Sequence, residues 1–330
     1  MGGWQERKRS PRPSTMTELA AAKARFAPSR PLGRTGFQAT VLGVGDLADR
    51  AVPIETCVAT VKRAIDAGLN VIDTAPGYED GYSEEIVGRA VAGVRDRMFV
   101  IDKVDDLESP VAPQIEASLR RLRLDHTDAF VFHNVSDQAV LDRLLAPRGG
   151  FEQLEASIRA GKTRFRGISS HNPDVLRNAI EAGCCDVVMF PIGPFVDRRY
   201  VSEILPLARR AGAGTICFKT FGAGKLLGDT PGYNQPLANR PRGKFSSGGE
   251  DPAEATLPRL SVQQCIDYTL TVGPDVALLG LSYPNEQDAA FAAVEQTTVL
   301  SARELLAVER LAAAARREKG ACWWNPDPDA

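Results

Sequence analysis

The sequence has 330 residues and a formal net charge of −2, with 43% hydrophobic and 25% charged residues. These proportions are normal for a globular protein, and the length suits one large α/β barrel or two ordinary domains. The balanced charge argues against a general nucleic-acid binder, which needs a basic surface to neutralise phosphates. Since no apolar run approaches the roughly 20 residues that span a bilayer, we expect neither a nucleic-acid nor a membrane partner.

The first residues, MGGWQERKRSPRPSTM, contain no apolar core segment and so do not indicate a secretory signal. Their charge, proline and serine content predict a flexible tail over 1–29, followed by a single domain over 30–330. The six cysteines form no Cys-x-x-Cys pair and have no histidine at zinc-finger spacing. We therefore expect buried free thiols, no metal site and a cytoplasmic protein.

The first predicted elements are a small hairpin and a series of strands. The segment RPLGRTGFQAT (30–40) predicts the hairpin, which turns at Arg-Thr-Gly. Eight short apolar or β-branched runs follow, each typical of a buried parallel strand. The runs are 40–45, 69–75, 98–104, 127–134, 164–170, 186–191, 214–220 and 275–282.

Amphipathic segments lie between several of these runs. Segment 55–68 has apolar residues at helical spacing and stops at Gly68. Ser83, followed by acids, is typical of a helix start, and Pro206 predicts a break or kink. The predicted helices are 55–68, 83–94, 113–124, 172–183, 200–212 and a terminal helix at 301–320.

Strands that alternate with helices predict a parallel sheet, either doubly wound or closed. The count of eight favours the barrel, as do polar residues at the ends of many different strands. The segment GVGDLADR (43–50) lacks the third glycine of a dinucleotide-binding turn. We predict an α/β fold: a (β/α)8 TIM barrel with an N-terminal hairpin, a long loop after strand 7 and a C-terminal helix.

Three consecutive barrel strands end in ionisable residues at 30-residue intervals: Asp73, Lys103 and His133. Tyr78 follows Asp73 in the next loop. Adjacent strands of a barrel deliver such residues to one mouth, which carries the active site in this fold. Taken singly, Asp73 and Lys103 fit a structural ion pair, and His133 or Tyr78 fits simple packing. Together they favour a catalytic group.

These residue types suit the reduction of a carbonyl, in which negative charge develops on oxygen and a proton must meet it. A tyrosine with its ordinary pKa near ~10 is a poor proton donor at neutral pH. A lysine cation nearby stabilises tyrosinate, by about 4 kcal/mol at 4 Å and an effective dielectric of 20. Asp73 would orient Lys103, and His133 would hydrogen-bond the carbonyl oxygen.

The segment NVIDTAPGYEDGYSEEIVGRAV resembles the signature of the aldo-keto reductase family. IDKV and FVFHN resemble that family's lysine and histidine strands, and PLGRTGFQATVLGVG resembles its opening hairpin and first strand. The resemblance runs from about residue 31 to about residue 291. It implies a catalytic tetrad of Asp73, Tyr78, Lys103 and His133, with the tyrosine as general acid and base, and a nicotinamide dinucleotide as cofactor.

The segment GISSHN (167–172) resembles the family's clamp for the nicotinamide carboxamide. The resemblance assigns this contact to Ser169 and to Ser170, which stands where the family usually has asparagine. Met189 occupies the place of a common glutamine, and a thioether is only a weak acceptor. We therefore interpret Met189 as a core residue and expect a weakened clamp.

The segment GTICFKTFGAGKLLG (214–228) resembles the family's nicotinamide-stacking strand and pyrophosphate loop. This resemblance assigns ring stacking to Phe218. It assigns phosphate contacts to Gly222, Ala223, Gly224, Lys225 and Leu226, with added charge from Lys219 and Lys225. A flexible basic loop without such a role is the alternative.

The segment GLSYPNEQDAA (280–290) matches the family's adenosine-binding segment, to which Gly280, Ser282 and Glu286 belong. Gly280 and Glu286 stand at or near positions where members that prefer NADP have cations, and Ala290 replaces a common asparagine. A 2′-phosphate needs cationic partners. The family default is therefore NADP(H), while these residues favour NAD(H).

We therefore expect an NAD(P)H-dependent oxidoreductase that interconverts an aldehyde, ketone or sugar carbonyl and its alcohol. The main alternative is a non-catalytic dinucleotide-binding barrel that acts as a redox sensor or regulatory subunit, and a lyase or isomerase that uses Lys103 is a third. The loop 221–260, rich in Gly, Pro, Ser and Asn, predicts a lid over bound dinucleotide.

Overall fold

Eight parallel strands close into a barrel, which confirms the predicted TIM-barrel architecture and excludes the doubly wound sheet. The computed structural model describes residues 28–45, 48–50, 52–227, 258–280, 284–317 and 322. The last strand pairs with the first, so that the barrel closes. The barrel strands are β3 (Leu42–Val44), β4 (Val71–Asp73), β5 (Phe99–Val104), β6 (Thr127–Phe132), β7 (Thr163–Ser169), β8 (Val187–Pro191), β9 (Gly214–Phe218) and β10 (Val276–Leu279).

The predicted hairpin precedes the barrel and seals its amino-terminal end. Strands β1 (Ser29–Pro31) and β2 (Gln38–Thr40) pair in antiparallel register. Leu32, in the connection between them, is fully buried and packs in one cluster with Phe99 and Val187 from inside the barrel. Because apolar side chains fill this end, polar groups can meet a substrate only at the opposite mouth, where the strands end.

Ten α-helices lie within the described residues. They pack against the outer face of the strands through a continuous layer of buried apolar side chains. Four of them, α4, α5, α8 and α9, lie outside the predicted helical segments. The helices are α1 (Ile54–Asp66), α2 (Tyr82–Val91), α3 (Val111–Leu122), α4 (Gln138–Leu145), α5 (Gly150–Arg159), α6 (Pro173–Glu181), α7 (Leu205–Ala211), α8 (Val262–Val272), α9 (Pro284–Glu295) and α10 (Ala302–Arg316).

One local expectation about a helix start is wrong. Ser83 does not cap α2, because the helix begins at Tyr82 and the Ser83 hydroxyl accepts a hydrogen bond from Thr74 at 2.9 Å. The predicted helix 200–212 is irregular just before Pro206. A π-helical turn at Tyr200–Ile204 gives way to α7 at Leu205, so that Pro206 lies in the first turn of α7.

Several expectations fall outside the described residues. They are the tail up to residue 27, the part of the lid segment at 228–257, and Ser282. Within the described part of the chain, all six cysteines are buried and none forms a disulfide. No helix there is both long and apolar enough to cross a bilayer.

Candidate active site

The barrel brings three of the predicted residues to one mouth because neighbouring strands run in parallel. Asp73 is the last residue of β4, and Lys103 is the next-to-last residue of β5. His133 directly follows β6. Parallel pairing sets Asp73 beside Ile101 and Lys103 beside Val131, so each functional residue lies two positions beyond the pairing partner of the one before it.

Asp73 and Lys103 form a buried ion pair. The Lys103 ammonium donates to both Asp73 carboxylate oxygens and to the Thr74 carbonyl, each at 2.7 Å. The side chains are only 4% and 2% exposed. Burial raises the pKa of Asp73 despite the attraction of Lys103. For Lys103, burial opposes the charge, but attraction to Asp73 and Tyr78 outweighs it and raises the pKa above its ordinary value. Lys103 therefore stays a cation.

Tyr78 lies in the loop that follows β4, against the same lysine. The Lys103 ammonium lies over the Tyr78 ring, 4.5 Å from its centre. The loop then turns through Glu79 and Asp80, both with φ of 50°, a conformation that is uncommon for residues other than glycine. The surrounding contacts must hold this conformation, and functional sites are where such backbone is concentrated.

His133 completes the group. Its ring meets the Tyr78 ring edge-on, with 5.6 Å between ring centres and 83° between planes. The structure therefore gathers the four predicted residues, with Lys103 between Asp73 and Tyr78 and with His133 beside Tyr78. The amino-acid pattern predicted this juxtaposition, while the roles of the side chains stay a prediction.

One further carboxylate at the mouth was missed by the sequence analysis. Asp105 Oδ1 lies 2.6 Å from His133 Nδ1, and Asp105 Oδ2 accepts from the Gly77 N–H at 2.6 Å. Burial alone would raise the pKa of Asp105, but the hydrogen bonds from His133 and Gly77 hold it below its ordinary value. The only sequence signal was an acid two residues after Lys103.

The serines expected at the nicotinamide carboxamide are both buried. Ser169 is 3% exposed, and its hydroxyl accepts from the Asn134 N–H at 2.8 Å. Ser170 is fully buried, and its hydroxyl exchanges hydrogen bonds with the Asn172 backbone at 3.0 and 3.3 Å. Met189 belongs to the apolar cluster inside the barrel, as a core residue should.

Phe218 ends β9 with a partly exposed ring, although the rest of the strand is buried. Its ring centre is 5.1 Å from that of His171. Burial, with the nearby charges of Lys219 and His133, lowers the pKa of His171 to about 3. His171 is therefore a neutral group beside Phe218. His171 lies in the segment GISSHN (167–172) but was not among the predicted site residues.

The backbone amides expected at the pyrophosphate already donate within their own loop. Gly222 donates to the Lys219 carbonyl at 2.8 Å and Gly224 to the Phe221 carbonyl at 2.9 Å. Lys225 donates to Gly222 at 3.1 Å, and Leu226 to Phe221 at 3.4 Å. For these amides to donate to a phosphate, the loop would therefore have to give up its internal hydrogen bonds.

The two lysines of this loop differ in exposure. Lys219 is partly exposed, with a φ of 73°. Lys225 is 2% exposed, and burial lowers its pKa while the nearby Arg316 adds to the effect. Lys219 is thus the better placed of the two to meet a solvated phosphate.

The adenosine segment has a basic neighbour that its sequence does not contain. Arg63 of α1 donates to Gln287 at 2.9 Å and pairs with Asp288 at 2.5 Å. Gly280 is exposed at the end of β10, while Glu286 is only 4% exposed. Ala290 is fully buried. Arg63 comes from more than 200 residues away in the chain, so no local pattern indicated it.

Comparison with known proteins settles the family. The model of the aldo/keto reductase family matches residues 40–312. This chain belongs to the aldo/keto reductase family. As a member, it is an oxidoreductase that acts on carbonyl or alcohol groups with NAD(P).

Individual aldo/keto reductases share this fold at modest identity. The chain is 27% identical over 227 residues to an NADH-specific methylglyoxal reductase of Escherichia coli, covering 60% of this chain and 68% of that one. It is similar to the holo form of an aldo-keto reductase from Bacillus halodurans, with a TM-score of 0.67, 23% identity and coverage of 88% and 98%. It is also similar to an aldo-keto reductase of Klebsiella pneumoniae solved with NADPH, with a TM-score of 0.62, 23% identity and coverage of 88% and 97%.

The buried ion pair makes a prediction about stability. We expect Lys103→Met to lower the free energy of unfolding by about 3–5 kcal/mol, because it leaves the Asp73 carboxylate buried without its cation. Asp73→Asn should also lower the free energy of unfolding, because it leaves the Lys103 ammonium buried without its carboxylate. The double variant should lose about 0.5–3 kcal/mol less than the sum of the single losses.

Urea unfolding followed by circular dichroism measures these free energies. Lys62→Met, which removes an exposed lysine from α1, is the matched control and should stay within about 0.5 kcal/mol of the parent. Strictly additive losses would contradict a direct interaction between Asp73 and Lys103.

Proposed function

We propose that the chain reduces a carbonyl with a nicotinamide cofactor at the barrel mouth, and that Tyr78 is the general acid and base. The observation that carries the proposal is the position of the Lys103 ammonium, which contacts Asp73 and Tyr78 at once. A lysine in that position lowers the energy of tyrosinate, the state that Tyr78 must enter when it gives up a proton.

The reaction needs one hydride and one proton. The reduced nicotinamide, when bound, supplies the hydride to the carbonyl carbon. The Tyr78 hydroxyl gives its proton to the carbonyl oxygen, which becomes the alcohol, and Lys103 stabilises the tyrosinate that remains. Asp73 keeps the lysine oriented. His133 meets the same carbonyl oxygen and holds it near the Tyr78 hydroxyl.

The residues present fit the nicotinamide half of the cofactor. Phe218 offers a partly exposed ring at the carboxyl end of β9, and an aromatic ring stacks favourably on a planar heterocycle. Ser169 is the better candidate for the carboxamide, because the hydroxyl of Ser170 both donates and accepts within its own turn, whereas that of Ser169 accepts from the Asn134 N–H. Lys219, Gly222, Gly224, Lys225 and Leu226 are the candidates for the pyrophosphate.

For the adenosine half, we propose Gly280, Ser282 and Glu286, with a preference for NADH. The segment 280–290 contains no lysine or arginine. The guanidinium that approaches it, Arg63, is already paired with Asp288. A 2′-phosphate would therefore meet carboxylates rather than an available cation. The similarity to an NADH-specific reductase supports the same preference.

Tyr78→Phe tests the assignment of the proton donor. We expect kcat to fall by about 10²–10⁴-fold, the usual contribution of general acid catalysis, with little change in cofactor affinity. The hydroxyl acts only in the chemical step, so binding should survive its removal. Turnover is followed at 340 nm with methylglyoxal, glyceraldehyde and 4-nitrobenzaldehyde.

Tyr82→Phe provides the matched control, since the Tyr82 hydroxyl donates to the Val52 carbonyl, away from the four residues. A Tyr78→Phe enzyme with unchanged kcat would remove Tyr78 from the reaction. If the cofactor binds but no carbonyl is reduced by the parent protein, the regulatory alternative is favoured instead.

Cofactor choice is a separate prediction. Fluorescence titration should show that NADH binds at least as tightly as NADPH, because the residues at 280–290 provide no cation for the additional phosphate. Asp288→Ala should improve NADPH binding selectively, since it frees Arg63 from its ion pair. A strong preference of the parent protein for NADPH that weakens with salt would contradict this and would indicate another basic residue.

A further inference from the structure

Asp105 links two of the groups that the proposed function uses. One carboxylate oxygen lies 2.6 Å from His133 Nδ1, and the other accepts from the Gly77 N–H at 2.6 Å. Gly77 immediately precedes Tyr78 in the chain. A single side chain thus ties the histidine at the end of β6 to the loop that carries the tyrosine.

We propose that Asp105 is a positioning residue for this reaction, which fixes the proton of His133 on Nδ1 and holds the Tyr78 loop against the histidine. The proposal rests on the proposed function, because it concerns how His133 and Tyr78 are aligned. Asp105 itself does not touch the reacting atoms. It acts through His133 and through Gly77.

The contact determines which ring nitrogen is left for the substrate. An ionised carboxylate only accepts hydrogen bonds, so the nitrogen next to it must carry the proton. Burial opposes the charge of Asp105, yet its two donors keep its pKa below the ordinary value, and it is ionised at neutral pH. Nδ1 therefore donates, and Nε2 is the nitrogen that meets the substrate oxygen. Nε2 can donate to that oxygen when the ring carries both protons, and a carboxylate on Nδ1 stabilises the positive charge of that ring.

The absence of a side chain at Gly77 is part of the same arrangement. A Cβ at this position would lie 2.6 Å from Asp105 Oδ2, closer than atoms of this kind can approach. The obstructed atom is the tip of a side chain, so the carboxylate would move while the backbone stays in place. A methyl group at position 77 would thus displace Asp105 without removing its charge.

The exposure of the pair suits an orienting contact more than a stabilising one. The His133 and Asp105 side chains are 26% and 28% exposed. A polar contact with this access to water contributes little to stability. The expected consequence of breaking it is therefore a loss of alignment in the reaction rather than a loss of fold.

Kinetics of Asp105→Asn test the proposal. We expect kcat for methylglyoxal to fall by at least about 10–100-fold, the loss seen when a carboxylate that orients a metal-bound histidine is removed, with KM and cofactor affinity nearly unchanged. Asp106→Asn is the matched control, because the adjacent carboxylate is exposed and accepts from the backbone of Glu108 and Ser109 rather than from His133 or Gly77. Its kcat should equal that of the parent.

Two further variants separate positioning from mere structure. Asp105→Ala should recover part of its kcat when formate is added, but not when chloride is added at the same ionic strength. Gly77→Ala should lower kcat in the parent but add little to Asp105→Ala, because both changes act on one carboxylate. An Asp105→Asn enzyme with the kcat of the parent would overturn the proposal, and so would independent, additive losses.

A spectroscopic readout keeps this test independent of turnover. The chain has only three histidines, so ¹⁵N-labelled His133 can be assigned with His126→Gln and His171→Gln. At neutral pH, Nδ1 of His133 should be protonated in the parent and should change its resonance in Asp105→Asn. An unprotonated Nδ1 in the parent would contradict the proposal even if Tyr78→Phe abolished turnover. A protein without turnover but with protonated Nδ1 would count against the proposed function alone.

Discussion

The arrangement of the mouth depends on the ion pair between Asp73 and Lys103, two charges that are almost completely buried at the ends of neighbouring strands. Transfer of such charges out of water is unfavourable, and a well-packed apolar pair of similar size is often as stable. A gain in the stability of the fold is therefore a poor explanation for the presence of this ion pair. A second contact of Lys103 explains the ion pair better, since the same ammonium lies 4.5 Å from the centre of the Tyr78 ring. In the proposed mechanism, the carboxylate positions the cation, and the cation prepares the tyrosine to release a proton.

The rest of the fold confines this chemistry to one end. Leu32 and Phe37 from the hairpin pack under the barrel with Phe99, and apolar side chains continue upward through its interior. Polar groups can then meet a substrate only beyond the carboxyl ends of the strands. A second layer of contacts surrounds the reacting groups there. Asp105 holds His133, and the buried Ser169 holds the Asn134 backbone just beyond His133.

The sequence predicted the barrel and the four residues because both follow from a simple period. A strand and its helix take about 30 residues, so Asp73, Lys103 and His133 occupy equivalent strand ends. Asp105 could not be selected in the same way. Its role depends on how closely the loop at Gly77 approaches a neighbouring strand, and no local pattern reports that distance. Arg63 reaches Asp288 across more than 200 residues of chain for the same reason. The phosphate contacts predicted for the loop at Gly222 stay a prediction, because the amides of that loop donate to carbonyls of the same loop.

The central claim is that a hydride passes from a nicotinamide to a carbonyl carbon at this mouth. The most direct test uses NADH deuterated at C4, prepared separately as its two epimers, with 4-nitrobenzaldehyde as the acceptor. We predict that one epimer alone transfers deuterium to the carbinol carbon, as mass spectrometry or NMR of the alcohol would show, and that Tyr78→Phe suppresses this transfer. If neither epimer transfers deuterium to the alcohol, hydride transfer from the nicotinamide is contradicted. If both epimers transfer it in equal amounts, hydride transfer in a defined site is contradicted.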